Sequence, residues 1–191
     1  MAEALRERRW TTDEFFAWLE DGHGGDDRWE LVDGEPRMMV RPVARHGLVV
    51  GNMMRVLGNK LRGGPCRPFG GDFGVTTRED QVRYPDVVVD CGPRDMEDRL
   101  ARDARVVIEV LSPSTRDFDS FAKLDEYRGV NAVRHVVLID PNRVDVWLWS
   151  RGEDGWSETR HTDHDGTLDL PAIGIDLPMS EIYEDVELVE R

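Results

Sequence analysis

Cysteine is nearly absent: the 191 residues include two, Cys66 and Cys91. They have no CxxC spacing, which excludes a disulfide framework or a zinc site built from them alone, and both are expected as packed thiols. Long apolar runs are missing as well. Stretches such as VVIEVL are far too short to span a bilayer, and MAEALRERRW carries charge where a secretory segment is apolar. A soluble, cytoplasmic chain is the expectation. Basic charge is in short supply, with 25 Lys and Arg against 39 Asp and Glu, a formal charge of −14 and a pI of about 4.7. That balance argues against a general nucleic-acid coat, whose binding rests on Lys and Arg displacing counterions from phosphate. Lysine is the scarcer cation, two against 23 arginines. No repeat, low-complexity tract or long linker divides the chain. With 39% hydrophobic and 34% charged residues the composition is globular, so one domain over 1–191 is expected.

The charge is uneven. Over 31–70, seven basic residues (Arg37, Arg41, Arg45, Arg55, Lys60, Arg62, Arg67) stand against Asp33 and Glu35, whereas from Pro113 onward eight basic residues face eighteen acidic ones. A face that receives a polyanion and an ordinary solvated surface are both open readings. Thr11 and Glu14 have capping-box spacing ahead of Phe15, Phe16, Trp18 and Leu19, which predicts a short amphipathic helix. RWELV and EPRMMV read as strands joined at Asp33-Gly34. The clearest helix covers 44–62, with Val49, Val50, Met53, Met54, Val56, Leu57 and Leu61 on one side. His46 falls near the middle of that apolar side and is expected to point inward. Strands are predicted near 72–77, 82–90, 105–111, 134–139 and 144–149, with a helix over 117–128 and a closing helix in PMSEIYEDVELV. VVIEVL and HVVLI are apolar throughout, as strands covered on both faces are. The fold class read from this is α/β, a mixed (α+β) central sheet flanked by helices.

Two carboxylates break that pattern. Asp86 opens PDVVVD and Glu109 interrupts VVIEVL, so each is carried by a strand whose neighbours are buried. Burying an ionised carboxylate unpaired costs several kcal/mol. If the strands are neighbours, two such groups about 4 Å apart repel by roughly 4 kcal/mol at an effective dielectric of about 20. Either one takes up a proton or a cation lies between them. Mg²⁺ or Mn²⁺, which accept carboxylates, waters and phosphate oxygens, suits such a pair. The competing reading has Asp86 capping a turn beside Pro85 and Glu109 paired with an arginine. Lys123 is either tuned to position or deprotonate water, or forms a surface pair with Asp119. His46 is either a site residue or a hydrogen-bonded core histidine. Glu30, between Trp29 and Leu31, is either a cleft acid or a strand residue facing solvent. His161, Asp163, His164 and Asp165 in HTDHDG are metal-ligand types, but they precede Gly166 in what reads as a late hairpin turn, where Asp and Gly serve the backbone.

Taken in order, RWELVDGE, RPVARHG, YPDVVV, IEVLSPSTRD, KLDEYRGV and VVLIDP resemble the Uma-type family of restriction-endonuclease-like proteins, within the PD-(D/E)XK nuclease superfamily. The likeness runs from Trp29 to Pro141, and the tail LDLPAIGIDLPMSEIYE also fits. It implies a restriction endonuclease-like core and a site built from Asp86 and Glu109 around a divalent metal, with the backbone carbonyl of Val110 a further ligand. Two residues beyond Glu109, on the same face of the strand, the superfamily pattern asks for lysine; this chain has Leu111, and KLDEYRGV offers Lys123 from the following helix. Glu30 and His46 match the motifs YELIDGE and xRHx, as an extra acid and a polar group lining the cleft. The function expected on this basis is a Mg²⁺- or Mn²⁺-dependent endonuclease hydrolysing phosphodiester bonds of DNA. The alternative, of another class, is a catalytically inactive nuclease-like fold acting as a binding or assembly module, with a homodimer as one form.

Overall fold

The computed structural model describes residues 9–39, 42–93, 95–112 and 119–189. Thr11 caps the first helix, α1 (Thr12–Glu20): its hydroxyl accepts from the Glu14 N–H at 3.3 Å while the Glu14 carboxylate accepts from the Thr11 N–H at 3.0 Å. Strands β1 (Trp29–Val32) and β2 (Glu35–Met38) turn through Asp33 and Gly34, with φ of +50° and +73°. Both turn residues are left-handed, as a two-residue hairpin requires. After α2 (Ala44–Lys60) come β3 (Arg67–Gly70), β4 (Val75–Arg78), β5 (Gln81–Arg83), β6 (Val87–Asp90) and β7 (Ala104–Val110). The rest is α3 (Asp119–Gly129), β8 (His135–Ile139), β9 (Val146–Gly152), β10 (Gly155–His161), β11 (Thr167–Leu170), β12 (Ile175–Pro178) and α4 (Met179–Ile182).

A six-stranded sheet has the order β10-β9-β8-β7-β6-β3, with β7 and β8 parallel and the other neighbours antiparallel. Alternation along β7 explains how it is covered. Val106, Ile108 and Val110 pack with Val49, Met53 and Val56 of α2, while Val107 packs on the other side with Leu124 and Tyr127 of α3. The same period of two sends Glu109 to the α3 side. A smaller antiparallel sheet, β2-β1-β5-β4, packs Leu31 and Val82 against Phe15 of α1. Leu31 and Val82 are register partners in an antiparallel pair, so Glu30 and Arg83 are cross-strand neighbours on the opposite face.

Four features differ from the sequence reading. The strand predicted over 82–90 is two strands in different sheets. Pro85 has no N–H for a ladder, so pairing stops there and the chain crosses from the smaller sheet to the larger. Asp86 sits at that crossing. Cys66 and Cys91 are a disulfide (S–S 2.01 Å), not two packed thiols. The register Arg67↔Asp90 between β3 and β6 sets them opposite each other, and β3 carries no strand pattern in RPFG. The closing helix is one turn only, and Asp185 beyond it is left-handed at φ +58°. HTDHDG links β10 to β11, which belong to different sheets, so it is not the tip of a hairpin. Arg41 and the start of the helix predicted from 117 lie outside the described residues. Among the described residues no helix is long and apolar enough to cross a membrane.

Candidate active site

The crossing at Asp86 faces the first turn of α2 and the end of β7. His46, 5% exposed, has Nε2 at 3.1 Å from Asp86 Oδ2. The same oxygen accepts from the Val110 N–H at 2.7 Å, which ties Asp86 to the residue after Glu109. Asp86 Oδ1 has no hydrogen-bond partner among the described residues, and the side chain remains 24% exposed. Glu109 uses Oε1 to accept from the Tyr127 hydroxyl at 2.7 Å, and that oxygen lies 3.8 Å from Lys123 Nζ. Its Oε2 has no hydrogen-bond partner among the described residues.

Behind this pair lies a buried ion-pair network. Lys123 Nζ donates to Glu30 Oε1 at 2.9 Å. Arg83 donates to Glu30 Oε2 through Nη1 at 2.7 Å and grips both oxygens of Glu126 through Nε and Nη2 at 2.6 and 2.7 Å. Lys123, Glu126 and Tyr127 stand at i, i+3 and i+4 of α3, the spacing that puts three side chains on one helix face.

Burial dominates the electrostatics. It strips water from Glu109 and, with the negative charge of Asp86, pushes its carboxyl up to about 7 against the pull of Lys123 and the Tyr127 hydroxyl. Burial also disfavours the Lys123 ammonium, but Glu109 and Glu30 outweigh it and hold Lys123 above the ordinary lysine value. Lys123 is therefore a cation at neutral pH. Tyr127 is raised far above the usual phenol by burial, then by Glu109, so it stays protonated and serves as a donor.

The structure brings Asp86 against His46 and Lys123 between Glu30 and Glu109, and Asp86 reaches the second group through the N–H of Val110, the residue after Glu109. Asp86 is held by a strand N–H and a histidine rather than capping its turn, and Glu109 meets a tyrosine and a lysine rather than an arginine. Glu30 is buried, not solvent-facing. Val110 contributes its N–H, while its side chain packs on the α2 side. Sequence reasoning missed Arg83, Glu126 and Tyr127. The latter two were legible in KLDEYRGV at the spacing of Lys123; the pairing of Arg83 with Glu30 required the register. Three residues of the basic window have partners of their own: Arg45 bonds Asn142, Arg55 pairs with Glu184, and Arg67 bonds the carbonyls of Gly64 and Cys66. Among the described residues no group of three or more His, Cys, Asp or Glu converges as a metal cage, HTDHDG included.

A mixed sheet flanked by helices, with acids gathered where two strands end, defines a nuclease-like fold. A crystal structure of "a putative nuclease belonging to DUF820" from Anabaena variabilis superposes with a TM-score of 0.72 at 18% identity, covering 91% of this chain and 97% of that one. The chain belongs to the Uma2 family, described as "Putative restriction endonuclease", which matches residues 12–180. "Uncharacterized protein slr1290" of Synechocystis sp. is 27% identical over 174 residues, 90% of each chain.

Proposed function

We propose that this chain is a divalent-metal-dependent phosphodiesterase, an endonuclease acting on DNA. Charge carries the reading. Glu30, Glu109 and Glu126 are linked through two cations, Arg83 and Lys123, with Asp86 beside Glu109, and those two cations are engaged chiefly by Glu30 and Glu126. Asp86 and Glu109 are left with surplus negative charge and, among the described residues, with one oxygen each that has no hydrogen-bond partner. That donor set fits Mg²⁺ or Mn²⁺, which bind through one or two carboxylates and keep the remaining positions for waters and phosphate oxygens. The Val110 carbonyl is the further ligand that the family resemblance assigns.

When bound, such an ion polarises the phosphodiester and makes its water acidic. His46 and the Val110 N–H fix the direction of Asp86, and Tyr127 fixes that of Glu109. Lys123, protonated at neutral pH, offsets the negative charge that grows on the phosphoryl oxygens. Leu111 at the strand position carries no charge, and α3 supplies the ammonium in its place.

The test is cleavage of supercoiled plasmid by purified protein with Mg²⁺, beside Asp86→Ala and Glu109→Ala. Each substitution should cost at least about 100-fold. Cleavage that survives both overturns the assignment, and so does an absence of heat on calorimetric titration with millimolar Mn²⁺. One observation favours the second reading, a non-catalytic binding or assembly module: Lys123 is nearer Glu30 (2.9 Å) than Glu109 (3.8 Å), in a network that closes on itself. That reading predicts metal-independent binding of a nucleic acid or protein partner, unchanged in Lys123→Ala.

A further inference from the structure

Among the described residues, Arg83 does not itself bond Asp86 or Glu109. It is 4% exposed on β5, and it donates three hydrogen bonds, one to Glu30 and two to Glu126. Those two acids are the ones that locate Lys123. Glu126 stands three residues further along α3, so gripping it by a two-point fork holds the helix that carries Lys123 against the smaller sheet. Glu30 is the nearer acceptor of the Lys123 ammonium, so holding it from the other side fixes the head group. One planar guanidinium thus sets both the base and the tip of the lysine side chain, a task that needs rigid multipoint geometry.

The charges act in the same direction. Without Arg83, the buried Glu30 and the part-buried Glu126 each lose a matched charge, and they and the Lys123 ammonium turn outward to water, away from Glu109. With Arg83, each acid is already matched, and Lys123 stays within 3.8 Å of Glu109. We infer that Arg83 is a positioning residue that sets where the Lys123 ammonium stands relative to Glu109, and through it relative to the bound phosphate. The last clause rests on the nuclease reading; the placement of Lys123 does not.

Lys60 and Lys123 are the only lysines, and Lys60 is exposed. Acetic anhydride labelling followed by mass spectrometry therefore reads Lys123 against a reference in the same molecule. Two variants are compared with wild type: Arg83→Lys, which keeps the charge and loses the fork, and Arg83→Gln with Glu126→Gln, which removes one charge of each sign so that no buried acid is stranded there. In both, the Lys123:Lys60 labelling ratio should rise about fivefold, and the lysine in Arg83→Lys should not rescue it. In plasmid cleavage kcat should fall about 100-fold with KM little changed, as displacement of a charged group by about 1 Å can cause. Adding Lys123→Met to the double variant should cost nothing further, because the two changes act through one group. An unchanged labelling ratio in the folded double variant overturns the inference, as do losses that multiply when Lys123→Met is added. If the ratio rises while wild type cleaves nothing, the nuclease reading fails and the role of Arg83 stands.

Discussion

Glu109 is costly to ionise in the metal-free protein, and that cost is measurable. Its carboxyl rises from an ordinary 4.5 to about 7, chiefly because burial removes its water. Between those two values the folded chain keeps a proton that the unfolded chain has released. Stability therefore falls as pH rises through this window, and the full loss is present above it. Converted at about 1.4 kcal/mol per pH unit, the loss is on the order of 3 kcal/mol. Glu109→Gln keeps the shape and cannot ionise. In EDTA, the unfolding free energy of E109Q relative to wild type should therefore rise by about 3 kcal/mol from roughly pH 5 to pH 8. Urea unfolding followed by the fluorescence of the six tryptophans reads this directly. Comparing the two proteins at each pH cancels every other titrating group they share. Mn²⁺ at pH 8 should then stabilise wild type, by about 2.7 kcal/mol at a 100-fold excess over its Kd, and leave E109Q nearly unmoved. Parallel pH curves for the two proteins would refute the burial reasoning. Equal stabilisation by Mn²⁺ would place the ion elsewhere.

Two further outcomes follow from residues outside the candidate site. His135 is buried; its Nε2 accepts from the Ala172 N–H at 3.2 Å, so Nδ1 carries the proton and donates to Ser150 Oγ at 3.0 Å. Burial lowers it from 6.5 to about 4. The unfolded chain takes up the proton first as pH falls, so stability present above about 6.5 is lost progressively toward 4, by up to about 3 kcal/mol. In His135→Gln that decline should shrink, and an unchanged slope in acid titration by circular dichroism would show that another group causes it. The Cys66–Cys91 bond closes a sequence separation of 25 residues, so Cys66→Ala with Cys91→Ala should cost about 3 kcal/mol of unfolding free energy. Dithiothreitol should lower wild type similarly and leave the double variant where it is; identical urea midpoints with and without reductant would contradict a bond that matters to folding.

Much of the site was legible in the chain because local rules write it there. A capping box announces α1, a helical wheel turns His46 inward, and an acid amid VVIEVL marks Glu109 as the intruder in a covered strand. These patterns depend on residues within a turn or two of each other, where propensity and period operate. What the tertiary structure alone decided involves segments far apart. The break at Pro85 moves the chain between sheets and leaves Asp86 at the crossing, and the β3–β6 register joins two cysteines read as separate thiols. The pairing of Leu31 with Val82 sets Arg83 against Glu30, 53 residues away, and α3 brings Lys123 to Glu30 across 93. Register and layer packing are chosen by whole faces burying against one another, and no short window of sequence contains both partners.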